Sequence, residues 1–207
     1  VKKLVFDDKV SAITMGGISG AEFDGIADAA EEAKLRFVAF GTVDNLEKYK
    51  YTLNGTVQRD SYIPTLVNFV LKVIKPKTAA YLGSETTDSN ARIARFKAGL
   101  EPKGVKTVFE QHFAVTTSDF SPYLTKIKYL NPDFLYFHTG QNEAYVNVAI
   151  QIKELGGLGN TKVLGTPALE YAKKQPTAEG WYEFALWVPA INNPASVKFY
   201  NEYKALH

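Results

Sequence analysis

Apolar positions along the chain switch between two periods. Short, nearly continuous runs rich in β-branched and aromatic residues alternate with longer stretches whose apolar residues recur every three or four positions, as strands and amphipathic helices do. Val10 to Met15 reads as a strand, Ala21 to Lys34 as a helix with Ile26, Ala29, Ala30 and Ala33 on one side, and Leu35 to Phe40 as a strand. A helix from Ser61 to about Ile74 turns Leu66, Val67, Val70, Val73 and Ile74 inward. Thr78 to Leu82 is a strand, Ser89 caps a helix bearing Ile93, Phe96 and Leu100, and Val105 to Glu110 is a strand. Ser121-Pro122 sets a capping residue before a proline at the first helical position, a start signal for the face Leu124, Ile127 and Leu130. Asp133 to His138 is a strand, Asn142 to Leu155 a helix that ends at Gly156-Gly157, and Lys162 to Gly165 and Trp181 to Val188 are strands. Ala195 to Leu206 is the last helix.

The middle strands begin near 78, 105, 133 and 162, so one unit follows another every 27 to 29 residues. Such alternation predicts parallel βαβ units. The strands lack the in-out alternation of a half-exposed sheet, which predicts helices on both of its faces. From Gly41 to Asp60 the rhythm breaks in a polar stretch containing Asn54-Gly55, without a clear strand. A second break is Pro189 to Pro194. The expected fold class is therefore α/β with two lobes, each a doubly wound, mostly parallel sheet flanked by helices. Residues 1–60 form part of one lobe, 61–188 a second lobe, and 189–207 a return crossover and helix of the first.

Composition narrows the function more than the fold. The 207 residues are 45% hydrophobic and 22% charged with a formal net charge of +2, too little to point to nucleic acid or a membrane surface as partner. The absence of cysteine removes disulfides, thiol nucleophiles and thiolate metal sites. No run reaches the ~20 apolar residues of a membrane span. His112, His138 and His207 are scattered, with no metal-ligand spacing. No serine sits in a Gly-x-Ser-x-Gly elbow. The 12 tyrosines and 13 phenylalanines fall mostly on core faces, and Trp181 and Trp187 read as core or hinge packing.

Four stretches together resemble the branched-chain amino-acid-binding family of type I periplasmic solute-binding proteins. They are Asp8 to Ile13 leading into Gly16-Gly17-Ile18-Ser19-Gly20; Ala33 to Thr42; Thr117 to Lys128 with Asn131-Pro132-Asp133; and Ala149 to Gly157. Each is weak singly, but their order and separations cover nearly the whole chain. Members of that family are about half as long again, so the resemblance implies that further chain precedes Val1 and follows His207. Two strands in the first lobe would in any case make a poor independent sheet.

The glycine-rich segment reads on its own as a tight turn with a serine cap, whose backbone N–H groups could receive an anion. The resemblance implies that Ile18, Ser19 and Gly20 hold a ligand carboxylate. It lacks the full Gly-x-Gly-x-x-Gly and the Lys-Ser/Thr of nucleotide loops. Phe40, Gly41 and Thr42 follow the next strand, beyond whose carboxyl end ligands of open α/β sheets bind. Phe40 departs from the small residues usual in the family, and forms either an aromatic wall beside the ligand or a core contact. In the second lobe, Thr87-Asp88 and Thr139-Gly140 match positions where the family often places aromatic residues. Thr166-Pro167 stands where amino-acid binders carry a glutamate for the ligand ammonium. Proline cannot accept that group, and a buried cation needs a partner. Asp88 or Glu170 could supply it, or could be an ordinary cap or surface residue. His138 lies at a strand end facing the expected cleft, as a ligand contact or a structural histidine.

The resemblance implies an extracytoplasmic solute-binding protein of an ABC importer, a monomer without cofactor or catalytic residues, periplasmic or lipid-anchored, whose partners are a small-molecule ligand and a membrane permease. The ligand expected is a hydrophobic or aromatic carboxylate or amide, or an amino-acid-like molecule, held by hinge closure between the lobes. The alternatives are a ligand-sensing domain of a receptor or regulator with the same fold, and an enzyme on a doubly wound sheet. The second has no nucleophile–base pair or cofactor loop to support it.

Overall fold

The computed structural model describes residues 2–19, 21–42, 46–165, 178–185 and 193–207. Two separate parallel sheets organise them. The first contains β1 (Ala12–Ser19), β2 (Arg36–Thr42) and β3 (Thr52–Asn54) in that order, with α1 (Ala21–Glu32) between β1 and β2. The second contains β4 (Thr78–Ser84), β5 (Lys106–Phe113), β6 (Phe134–His138), β7 (Lys162–Gly165) and β8 (Tyr182–Glu183), ordered β5-β4-β6-β7-β8. Its helices are α2 (Arg59–Phe69), α3 (Thr87–Leu100), α4 (Ser121–Leu130) and α5 (Asn142–Glu154), and the last helix is α6 (Pro194–Leu206). Every strand pair is parallel, as the unit spacing predicted.

Alternate residues of the second sheet feed two cores. Ala80, Leu82, Leu135, Phe137 and Val163 point to one side, where α4 and α5 add Leu124, Ile127, Tyr145, Val148 and Ile152. Ala79, Tyr81, Phe134, Tyr136 and Leu164 point to the other, where α2, the turn that follows it and α3 add Ile63, Val67, Val70, Ile93, Phe96 and Leu100. This double coverage explains why the strands read as continuous apolar runs. Burial raises the pKa of the Tyr81 and Tyr136 hydroxyls, keeping both neutral. In the first sheet, α1 supplies Phe23, Ile26, Ala27 and Ala30 to a core with Ile13, Phe37 and Ala39. Its opposite face leaves Phe40 and Leu53 solvent-exposed.

Several boundaries differ from the sequence expectation. The glycine-rich segment is not a turn: β1 runs through Gly16 to Ser19, with a bulge at Gly17, whose φ is 72°. The polar stretch 41–60 holds a strand after all, β3, too short at three residues to register as a run. Helix α2 starts after Gln58, not at Ser61, and ends in a π-helical turn over Val70–Ile74. That turn shifts the helical phase, so Val73 is 54% exposed rather than inward. Thr86, not Ser89, caps α3, its hydroxyl accepting from the Ser89 N–H. Ser121 is the first residue of α4, and its N–H donates to Asp119 at 2.9 Å. Strand β8 has two described residues, and the second break, from 189 to 192, lies outside the described residues, as does Trp187.

Asp133 ties the starts of β4 and β6 together. Its Oδ2 accepts from Lys77 N (2.8 Å), Thr78 N (2.9 Å) and Thr78 Oγ1 (3.0 Å), while its own N–H donates back to Thr78 Oγ1. The Lys77 and Thr78 N–H groups hold its pKa below the ordinary carboxylate value. A depressed folded-state pKa gives stabilisation that is complete above the unfolded value, near 4, and is lost as pH falls through the folded value. Asp133→Ala is expected to destabilise the protein by about 1 kcal/mol at pH 7, the solvent exposure of the carboxylate keeping the figure low. Urea titrations at pH 7 and pH 3 check this, and the difference between variant and parent should shrink at the lower pH.

Candidate functional site

The two segments singled out in the first sheet meet at its carboxyl end. Parallel register pairs Ile18 with Gly41 and Ser19 with Thr42. The Gly41 carbonyl accepts from Asn54 Nδ2 at 2.6 Å, and Asn54 Oδ1 accepts from Thr56 N at 3.0 Å. Asn54 therefore locks the end of β2 to the turn after β3. It went unnoticed because Asn54-Gly55 reads as a generic turn. Phe40 is half exposed with its ring over Gly55, so of its two expected roles the core contact is the one the structure does not support. Gly20, Thr166, Pro167 and Glu170 lie outside the described residues.

At the carboxyl end of the second sheet, β4 and β6 pair so that Gly83 stands level with His138. The first two turns of α3 rest directly on Gly83: a Cβ there would lie 2.3 Å from Ser89 Oγ and 2.6 Å from Ile93 Cδ1. Ser89 Oγ donates to the His138 carbonyl at 3.3 Å, joining helix to strand. This docking brings Asp88 to His138. Asp88 Oδ2 is 2.9 Å from Arg92 Nε and 3.5 Å from His138 Nε2, with the three side chains 18%, 12% and 5% exposed. Arg92 lies over the Tyr62 ring at 5.5 Å, and the His138 ring stacks on Tyr136 at 6.2 Å. Burial pulls the Arg92 pKa down, but Asp88, with lesser contributions from Tyr136 and Tyr62, leaves it raised overall.

Asp88 is thus neither a plain cap nor a bare anion, since the Arg92 guanidinium already answers its charge and the His138 ring lies beside it. The i, i+4 spacing of Asp88 and Arg92 was a legible signal for Arg92 that the family comparison of positions passed over. Thr139 is buried; its N–H donates to Tyr145 Oη at 3.4 Å and its Oγ1 to Gln141 Oε1. Thr87 and Gly140 are solvent-exposed. The structure brings Asp88, His138 and Thr139 to one strand end, with Thr87 and Gly140 on its rim. His112 belongs elsewhere, 3.6 Å from Glu110, which also binds Lys97 at 2.5 Å. Among the described residues no histidine–carboxylate group could hold a metal, and no helix is long and apolar enough to cross a membrane.

Two parallel α/β sheets with polar groups gathered at the carboxyl ends of their strands have the type I periplasmic binding protein fold. The chain belongs to the periplasmic binding protein family, whose model matches residues 1–207. The solved structures that it resembles include substrate-binding proteins of ABC transporters. A leucine-binding protein, LivK, of Thermotoga maritima superposes with a TM-score of 0.80 at 23% identity over 99% of this chain and 59% of its own. LivJ of Streptococcus pneumoniae, solved with isoleucine, gives 0.80 at 20% identity over 100% of this chain and 60% of its own. A Rhodopseudomonas palustris solute-binding protein in complex with 4-hydroxybenzoate gives 0.81 at 17% identity over 99% and 57%. The chain thus spans less than two thirds of the length of these relatives. A comparison with curated proteins finds no match.

Breaking the Asp88–Arg92 pair should be costly because it strands a largely buried carboxylate. Arg92→Ala is expected to destabilise the protein by about 2–3 kcal/mol, and Asp88→Asn/Arg92→Ala by less than Arg92→Ala alone, measured by chemical denaturation.

Proposed function

We propose that the protein is an extracytoplasmic solute-binding protein that delivers its ligand to the permease of an ABC importer. It acts as a monomer and closes two lobes, 1–60 with 189–207 and 61–188, about a hinge. The supporting observation is where the singled-out residues fall: Ile18-Ser19 beside Gly41-Thr42 at the carboxyl end of one sheet, and Asp88 beside His138 at the carboxyl end of the other. Parallel strands end in unpaired backbone groups there, and open α/β sheets use that end for ligands. A ligand that touches both lobes favours the closed form by its differential affinity.

The ligand class follows from the charge arithmetic around Asp88. An α-amino ligand brings an ammonium that requires a buried acceptor. Pro167 offers none, and Asp88 is engaged by Arg92 and His138. On this reading the cleft takes a hydrophobic or aromatic carboxylate or amide, its acid or amide group received at Ile18, Ser19 and Gly20 and flanked by Phe40, Gly41 and Thr42, and Glu170 is left as the other acidic candidate for an ammonium. Thr87, Thr139, Gly140 and Thr166 close over it from the other lobe. Relatives of this fold have been solved with benzoate and with 3,4-dihydroxybenzoic acid as well as with isoleucine.

Calorimetry with leucine, its deaminated keto acid 4-methyl-2-oxopentanoate, and benzoate tests this. The acids without an α-amino group should bind and leucine should bind weakly or not at all. Micromolar leucine binding with the keto acid inert would overturn the assignment and return Asp88 or Glu170 to the role of ammonium acceptor. Ser19→Ala should weaken binding of the preferred acid by about 1–2 kcal/mol while leaving the Tm nearly unchanged. Unchanged affinity would make Ser19 a structural residue at a strand end.

A further inference from the structure

Helices α2 and α3, which cover one face of the second sheet, leave a groove of about 460 Å³ between them. Ile63 and Val67 form its buried floor, and Leu71 and Gly99 stand at its walls. The helices touch at Gly99, where a Cβ would lie 2.7 Å from Val67 Cγ2, so the glycine sets how closely they approach. The groove is separate from the site described above: it reaches the C-terminal end of α3 and the following turn at Lys103, whereas Asp88 sits in the first turn of α3. At 1.5 Å per residue, Asp88 and Gly99 are about 16 Å apart along the helix axis. Both ionisable residues lining the groove, Arg95 and Lys103, are cationic, and no acidic side chain lines it.

We infer that this groove is a second small-molecule site, selective for an amphipathic carboxylate. The aryl or alkyl part lies on Ile63, Val67 and Leu71, and the carboxylate meets Lys103 at the rim. The volume falls within the range of small-molecule pockets, about 300–1,000 Å³, and a mostly apolar lining with a few polar groups is their usual make-up. A carboxylate at the edge of an apolar floor gains a charge-assisted hydrogen bond from the ammonium, which an alcohol of the same shape does not.

Methyl NMR of the protein with 4-phenylbutyrate and with 4-phenylbutanol tests the site, read at the Ile63, Val67 and Leu71 methyls that line the groove, and variants in the groove separate it from the cleft. Saturable shifts of these methyls by the carboxylate are expected, with the alcohol at least fivefold weaker. Lys103→Glu should weaken the carboxylate at least tenfold, and Ala98→Trp, which fills the groove from an exposed helical position, should abolish the shifts. The Leu135 and Val163 methyls in the opposite core verify that both variants fold. Absence of saturable shifts up to about 10 mM, equal binding of the alcohol, undiminished binding by Lys103→Glu, or shifts that persist in Ala98→Trp would each overturn the inference.

Discussion

The placement of β4 between β5 and β6 governs the rest of the second sheet. From Ala79 to Ser84 the strand is buried throughout, and its two neighbours fix its register from both sides. That register sends alternate side chains into two cores, so a slip of one residue would exchange the cores' contents. It also sets Gly83 level with His138, and only a glycine there lets α3 come down onto the strand end. The contact between Asp88, Arg92 and His138 is a consequence of that docking. The polar cluster is as precise as the apolar packing beneath it.

Much of the architecture was legible because parallel, doubly covered strands leave an unambiguous trace. Strands such as Phe134–His138, with all five residues buried, cannot be mistaken for amphipathic segments, and α5 carries Tyr145, Val148, Ala149 and Ile152 at strict helical spacing. What escaped were features with no periodic signature. β3 has three residues, paired with β2 through backbone hydrogen bonds and tied to it further by the Asn54 side chain. The strand through Gly16-Gly17 looked like a turn because glycine is the commonest turn residue, whereas here it serves a bulge. The outward position of Val73 follows from a π-helical turn that no apolar pattern announces.

Candidate binding residues were legible only in part, for a different reason. Ile18, Ser19, Gly41 and Thr42 could be named as strand-end residues, but that they pair with one another required the register. Asp88 could be named as an anion, but whether its charge was available depended on Arg92, one helical turn away, and on His138, fifty residues later in the chain. Chemistry at such a site resides in which charges are already answered, and that is a property of tertiary contacts. The same consideration separates the ligand classes: a carboxylate left unanswered would welcome an ammonium, while one held by a guanidinium does not.

The central claim is that one ligand engages the strand ends of both sheets at once. Hydrogen–deuterium exchange, with and without the acid that binds most tightly in calorimetry, measures this directly. Slower exchange on ligand addition is predicted in two separate segments together, at residues 16–20 with 40–42 and at residues 86–89 with 138–141. Protection confined to one sheet, with the other unaffected at saturating ligand, would contradict closure of two lobes around a shared ligand.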